Sequence, residues 1–248
     1  MTDSSLTVTA IIPAYNEEKR IHHVLQAVSK SSYIDEIICV NDGSTDNTKN
    51  IINSFPNIKK IHLKKNYGKS YAVVLGIKKA KGEIVLFIDA DLAGLDDINF
   101  KKLILPLLNH THDVTLGYVC HHSLDILFRP ISGERAYYKK DLLLHLDDIK
   151  NKGYGLELYL NYLFRDKKVK MFPLKKVKHS LKFEKQSVDF ALKLFFLELL
   201  EIGSEIVNND NPAQFFSKSY LFPFYLKKSK KNAYSVKKLI KYIRNNII

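Results

Sequence analysis

Hydrophobic positions follow two alternating spacings over the first half of the chain. Val8–Pro13 is a short apolar, β-branched run. Behind it Ile21, Val24, Leu25 and Val28 recur at i, i+3, i+4 and i+7, which marks one buried helix face. The pair then repeats. Glu36–Val40 predicts a second strand, followed by a helix carrying Ile51, Ile52 and Phe55, with Ser44 or Thr45 as its N-cap. Ile58–Leu63 predicts a third strand and Ser70–Ala80 a third helix. Glu83–Asp89, with the core IVLFI, predicts a fourth strand buried on both faces. Asp96–Leu108 predicts a helix that Pro106 ends or kinks, and Asp113–Val119 a further strand. Strands alternating with helices of this length make βαβ units: an α/β, Rossmann-like fold, its mostly parallel central sheet flanked by helices. Ligands in such sheets bind beyond the carboxyl ends of the strands.

After Val119 the pattern becomes irregular. Tyr154–Phe164 predicts a helix and Val169–Pro173 a strand. Val188–Val207 predicts a long helix, apolar over most of its circumference. Ser235–Ile247 predicts a basic amphipathic helix, with Val236, Leu239, Ile240, Ile243 and Ile247 on one face and Lys237, Lys238, Lys241 and Arg244 largely on another. Aromatic residues from Phe215 to Tyr225 are interleaved with lysines between them.

Composition changes this picture in one respect. The 248 residues are 46% hydrophobic and 26% charged, which fits a globular protein and excludes a disordered one. The net charge of +13 is unevenly spread. Residues 1–164 carry 20 basic and 19 acidic side chains, residues 165–248 carry 19 and 7. A near-neutral body followed by a basic region predicts a polyanionic partner for that region, set against a plain solvated lysine-rich surface. No uninterrupted apolar stretch approaches the ~20 residues of a membrane-spanning helix. Met1–Ser5 shows no signal-peptide pattern, and two cysteines, Cys39 and Cys120, form no disulfide framework. The expected location is cytoplasmic, with the inner face of a membrane within reach of the basic region.

Four polar motifs follow the predicted strands. Asp89-Ala90-Asp91 ends the IVLFI strand, and two carboxylates there can aim oxygens at one divalent cation that also bridges a diphosphate; hard oxygen ligands favour Mg²⁺ or Mn²⁺. Pro13-Ala14-Tyr15-Asn16-Glu17-Glu18 follows the first strand, where Glu17 and the loop backbone can hold a base and ribose. Asn41-Asp42-Gly43-Ser44-Thr45-Asp46 follows the second, with Asp42 placed to accept from a base N–H. Asn66-Tyr67-Gly68-Lys69 opens the third helix with free N–H groups and a cation for phosphate. Each taken alone is equally a turn or a helix cap.

In this order the four motifs resemble the nucleotide-sugar-binding half of family 2 glycosyltransferases with the GT-A fold, clearly over residues 6–95 and more loosely to about residue 185. The resemblance implies a glycosyltransferase domain over 1–185, with a donor-binding half at 1–119 and an acceptor side at 120–185. A helical, basic extension occupies 186–248. It implies a UDP- or GDP-sugar donor held by Pro13, Ala14, Tyr15, Glu17 and Asp42 at the nucleoside, Lys69 at the base–ribose edge or diphosphate, and Asp89 and Asp91 at ribose and metal. His179 is the implied third metal ligand. Gly133 and Arg135, in Ser132-Gly133-Glu134-Arg135-Ala136, match a segment facing the acceptor, and Glu157, in Gly155-Leu156-Glu157, an acidic catalytic residue beside Asp91. The acceptor is a polyprenyl phosphate or a small phosphorylated molecule. The C-terminal region meets a membrane surface, a second copy in a homodimer or its own domain; no nucleic-acid partner is expected. A sugar-1-phosphate nucleotidyltransferase is the rival enzyme, but it would carry a Gly-rich basic loop where PAYNEE stands. A non-catalytic basic protein gives no reason for the placing of Asp89 and Asp91.

Overall fold

The computed structural model describes residues 6–119 and 132–179. The predicted helices over 188–207 and 235–247, and the boundary at 185/186, lie outside the described residues. The parallel strands form where the sequence is continuously apolar. β1 (Val8–Ala14) is buried at every position and pairs in parallel with both β2 (Glu36–Asn41) and β4 (Ile84–Phe87); β3 (Lys59–His62) adds to β2. β6 (Val114–Tyr118) and β8 (Val169–Pro173) pair in parallel. Between these groups runs β7 (Arg135–Tyr138), antiparallel to β4 and β6, giving the order β3-β2-β1-β4-β7-β6-β8. A small second sheet joins β5 (Leu92–Ala93) to β9 (Lys178–His179), also antiparallel.

The period of two along the strands divides their side chains between two cores. Ala10, Ile12, Cys39, Leu86 and Ala136 face α1 (Ile21–Ser29), α2 (Thr48–Asn53) and α4 (Asp97–Leu108). Ile11, Ile38, Val85, Phe87 and Tyr137 face α3 (Lys69–Lys79), α5 (Lys139–Leu143), α6 (Leu146–Lys150) and α7 (Leu156–Leu163). Each fully buried aliphatic side chain contributes about 1.5–3 kcal/mol, so this three-layer arrangement fixes the carboxyl edge of the sheet as a rigid platform.

Two local expectations are corrected. The second helix begins at Thr48, not behind a Ser44 or Thr45 cap, because those residues are engaged in holding the preceding loop. Pro106 does not end α4, which runs two residues further, to Leu108 as the pattern predicts. Standing in the last turn, Pro106 forfeits one amide bond, while its carbonyl accepts from Thr111 N, His112 N and the Thr111 hydroxyl. Asp96 caps the same helix, accepting from Asn99 N at 3.0 Å.

Candidate active site

The loops after β1 and β2 are tied to each other. Asn16 N donates to Ser44 Oγ at 3.0 Å, and Asn16 Oδ1 accepts from Thr45 N at 2.9 Å. Glu17 N donates to Thr48 Oγ1 at 2.8 Å, Glu18 N to Asp46 Oδ2 at 3.1 Å, and Asn47 N to Glu18 Oε2 at 3.0 Å. Burial pushes the Asp46 carboxyl upward, but the hydroxyl and amide of Thr48 and the amide of Glu18 outweigh it and hold its pKa below the ordinary aspartate value. Gly43 has a positive φ of 71°, and a Cβ there would lie 2.3 Å from the Lys65 carbonyl carbon, so only glycine lets the third loop approach. Asp42 fixes that third loop: Oδ1 accepts from Tyr67 N and Oδ2 from Gly68 N, both at 2.8 Å.

Gly68 precedes α3, and Lys69 is its first residue. The Lys69 ammonium lies 2.6 Å from Asp89 Oδ1 and 2.8 Å from Glu157 Oε1. Desolvation works to lower its pKa, but the two carboxylates outweigh that and hold it above the usual lysine range. Residues from three distant stretches thus meet at one point: the start of α3, the end of β4 and the first turn of α7. The 3-10 turn Gly153–Gly155 leads into α7 and is pinned to α3 by the Ser70 hydroxyl, which donates to Gly153 O at 2.9 Å. Gly133 packs directly on Asp89. A Cβ at Gly133 would stand 2.3 Å from Asp89 Oδ2 and 2.6 Å from its Cγ. Because β7 runs against its neighbours, its amino end, with Gly133, arrives at the same edge as the carboxyl ends of β1, β2 and β4.

A model of glycosyl transferase family 2 matches residues 9–177. The chain belongs to glycosyl transferase family 2. Among relatives of this family 2 member are a dolichyl-phosphate β-glucosyltransferase of Trichomonas vaginalis, 39% identical over 113 residues, and an undecaprenyl-phosphate 4-deoxy-4-formamido-L-arabinose transferase of Proteus mirabilis, 36% identical over 94. Those alignments cover 40% and 34% of this chain, and 33% and 29% of the relatives, so the chain spans about a third of their length. The glucosyl-3-phosphoglycerate synthase of Mycobacterium tuberculosis, solved with Mn²⁺, UDP and glucosyl-3-phosphoglycerate, superposes with a TM-score of 0.60 at 22% identity, covering 75% of both chains. Residues 1–349 of TarS from S. aureus superpose with 0.63 at 22% identity, over 96% of this chain and 77% of that one. These likenesses establish the fold as GT-A. The family matched over residues 9–177 is one of glycosyl transferases, not of nucleotidyltransferases.

Of the expected site residues of this family 2 member, Lys69, Asp89, Glu157 and Gly133 are in contact with one another, and Ala14 and Asp42 form a second pair. Pro13 and Ala14 end β1, and Ala14 O accepts from Asp42 N at 2.8 Å, so the first two motifs form one floor. Tyr15, the next residue, is 43% exposed. Glu17 is buried, and its Oε2 accepts from Arg20 at 2.8 Å. Asp89 and Asp91 both follow β4, and the β5–β9 pairing sets the backbone of His179 opposite Leu92, the residue after Asp91. Among the described residues no group of three or more His, Cys, Asp or Glu side chains stands together as a metal site. What the site does hold is a cation on Asp89, the Lys69 ammonium, in a cradle kept open by the absent side chain of Gly133. Asp89 and Asp91 carry hard oxygen donors of the kind Mg²⁺ and Mn²⁺ take, ions that bind few protein ligands beside phosphate and water.

One expectation is corrected. Arg135 does not present itself to an acceptor: it is 1% exposed and its guanidinium is turned inward, onto Ser132 O and Asn161 Oδ1. Nothing in its sequence position signalled this, since arginines are rarely fully buried. Gly133 is likewise buried, under Asp89. Replacing Gly133 by alanine is therefore expected to push the Asp89 carboxylate off Lys69, at about 1–3 kcal/mol for forced overpacking. If the chain binds a UDP- or GDP-linked donor with Mn²⁺, calorimetry should show that nucleotide's binding weakened by about tenfold, the equivalent of 1.4 kcal/mol. Unaltered affinity would mean that Asp89 is placed by its own strand alone.

Proposed function

We propose that this chain transfers a sugar from a UDP- or GDP-linked donor to a hydroxyl of a phosphate-bearing small molecule, with Mg²⁺ or Mn²⁺ as cofactor. The observation that carries the reading is the meeting of Asp89, Lys69 and Glu157 within 2.8 Å at the carboxyl edge of the sheet. The braced loops of residues 13–18 and 41–48 supply the nucleoside pocket, with Tyr15 at its rim. Asp89 and Asp91, with His179 beside them in sequence register, are the residues to hold the metal. Bound there, the ion neutralises the charge that builds on the diphosphate leaving group.

Lys69 presents a permanent positive charge to the same diphosphate, since its raised pKa keeps it protonated at all working pH. Glu157, 8% exposed on the first turn of α7, accepts the proton of the acceptor hydroxyl as that oxygen attacks the anomeric carbon and the nucleoside diphosphate departs. A hydroxyl attacking with inversion needs such a base, whereas a transfer that retains configuration does not. An ionised phosphate nucleophile does not, and this favours the hydroxyl reading.

A second reading takes a polyprenyl phosphate as acceptor. It is supported by the names of the curated relatives and by the 19 basic against 7 acidic residues after position 164, which suit an anionic membrane surface. Among the described residues no helix is long and apolar enough to cross a membrane. Co-sedimentation with anionic vesicles, with and without residues 208–248, separates the two: retention that depends on this segment favours the lipid-linked acceptor and a site of action at the membrane face.

The activity itself is tested by donor hydrolysis over a panel of UDP- and GDP-sugars with Mn²⁺. Hydrolysis of one base series, abolished by chelation, is the expected result. No hydrolysis of any member, together with no thermal stabilisation by UDP or GDP plus Mn²⁺, removes the reading.

A further inference from the structure

Arg135 occupies β7 opposite Phe87 of β4 and Leu116 of β6, in the middle of the sheet. A guanidinium is kept in such a place only when its donors are matched, because an unmatched buried charge costs several kcal/mol. Besides a 3.4 Å hydrogen bond from Nη1 to the Tyr137 hydroxyl, its donors reach in two directions. Nε donates to Ser132 O at 2.6 Å, the residue before the glycine that packs on Asp89. Nη1 donates to Asn161 Oδ1 at 2.7 Å and, at 3.3 Å, to the main-chain oxygen of Glu157. One planar cation thus joins the loop beneath one acidic residue of the site to the helix that bears the other. Lys69 spans the same two residues through their carboxylates.

We infer that Arg135 is a positioning residue: it sets the place of Glu157 relative to Asp89 by clamping the first two turns of α7 to the Ser132–Gly133 loop. The two ends of the clamp differ in what else holds them. Asp89 follows β4 by two residues, and β4 is hydrogen-bonded on both sides within the sheet. α7 is a short outer helix entered through a 3-10 turn, so it is the part whose position depends on the clamp. The requirement is for arginine in particular. A lysine carries the same charge but a single ammonium centre, and it cannot reach Ser132 O, Asn161 Oδ1 and Glu157 O together in the fixed fork that a guanidinium provides.

This inference rests on the proposed role of Glu157, and the experiment separates the two. The probe is Mn²⁺-dependent hydrolysis of whichever UDP- or GDP-sugar in the panel is turned over fastest, with UDP affinity measured by calorimetry. Arg135→Lys is expected to lower kcat about 10- to 100-fold, the scale of a misplacement near 1 Å, with donor KM and Mn²⁺–UDP affinity moved less than about threefold. In the Glu157→Gln background the same substitution is expected to cost less than about twofold, because the group it positions is already disabled. Asn161→Ala, at a half-buried helix position, should reproduce the kcat loss in weaker form and carries the test if Arg135→Lys does not fold. An unchanged kcat in the variant that folds, or losses that multiply in the double mutant, overturns the positioning role while leaving Glu157 as base. A silent Glu157→Gln instead sinks the base, and the inference falls with it.

Discussion

Asp91→Asn is expected to lower turnover by about 10²–10³-fold, the range seen when one group stabilising transition-state charge is removed from an oxyanion hole. The substitution keeps the shape of the side chain and removes its charge, so the loss reports on electrostatics and not on packing. Asp91 follows β4 by four residues and immediately precedes β5, whose partner β9 includes His179. Removing a group that merely supports a metal ligand costs about 10- to 100-fold in affinity, and a ligand itself costs at least as much. Calorimetric titration of Mn²⁺ in the presence of UDP should therefore show affinity reduced by that factor or more. Nucleotide binding without metal should be unaffected. If the Asp91→Asn variant binds Mn²⁺ and UDP as tightly as the native chain, the acidic pair does not hold the cofactor and the proposed chemistry loses its foundation.

Glu157→Gln gives the second large effect. A positioned base contributes about 10²–10⁴-fold, and glutamine fills the same space without accepting the proton. The expected signature is a fall in kcat of that order with donor affinity nearly kept, since Lys69 retains its 2.6 Å contact with Asp89. The result also divides the two acceptor readings. With a phosphate as nucleophile the same variant should retain turnover within about tenfold, because no proton has to be removed.

The parallel part of the fold was legible because each buried parallel strand is a nearly unbroken apolar run, as in Val8–Pro13 and IVLFI, and the loops after such strands are where polar motifs gather. β7 was not. Arg135-Ala136-Tyr137-Tyr138 alternates a charge and two phenols with one small residue, so hydrophobicity alone does not mark it as a central strand. Its place in the sheet comes from pairing with β4 and β6, which are distant in sequence. The same holds for the Lys69 bridge, whose partners stand 20 and 88 positions away. Asp89 and Glu157 could be singled out by motif, but their sharing of one ammonium is a product of tertiary structure. The second helix was misplaced at its start for a related reason: Ser44 and Thr45 look like caps locally, yet their hydrogen bonds go to the preceding motif loop.

The cross-linking of the 13–18 and 41–48 loops has a consequence for how the protein could be altered. Their conformation is settled during folding, through backbone amides held by Ser44, Asp46, Thr48 and Glu18, so an arriving nucleotide has little loop ordering left to supply. Under the proposed donor role, choice between uracil and guanine would then reside in a handful of side chains presented by these cross-linked loops. Retargeting the base should succeed by exchanging those side chains, whereas grafting whole loops would dismantle the brace first.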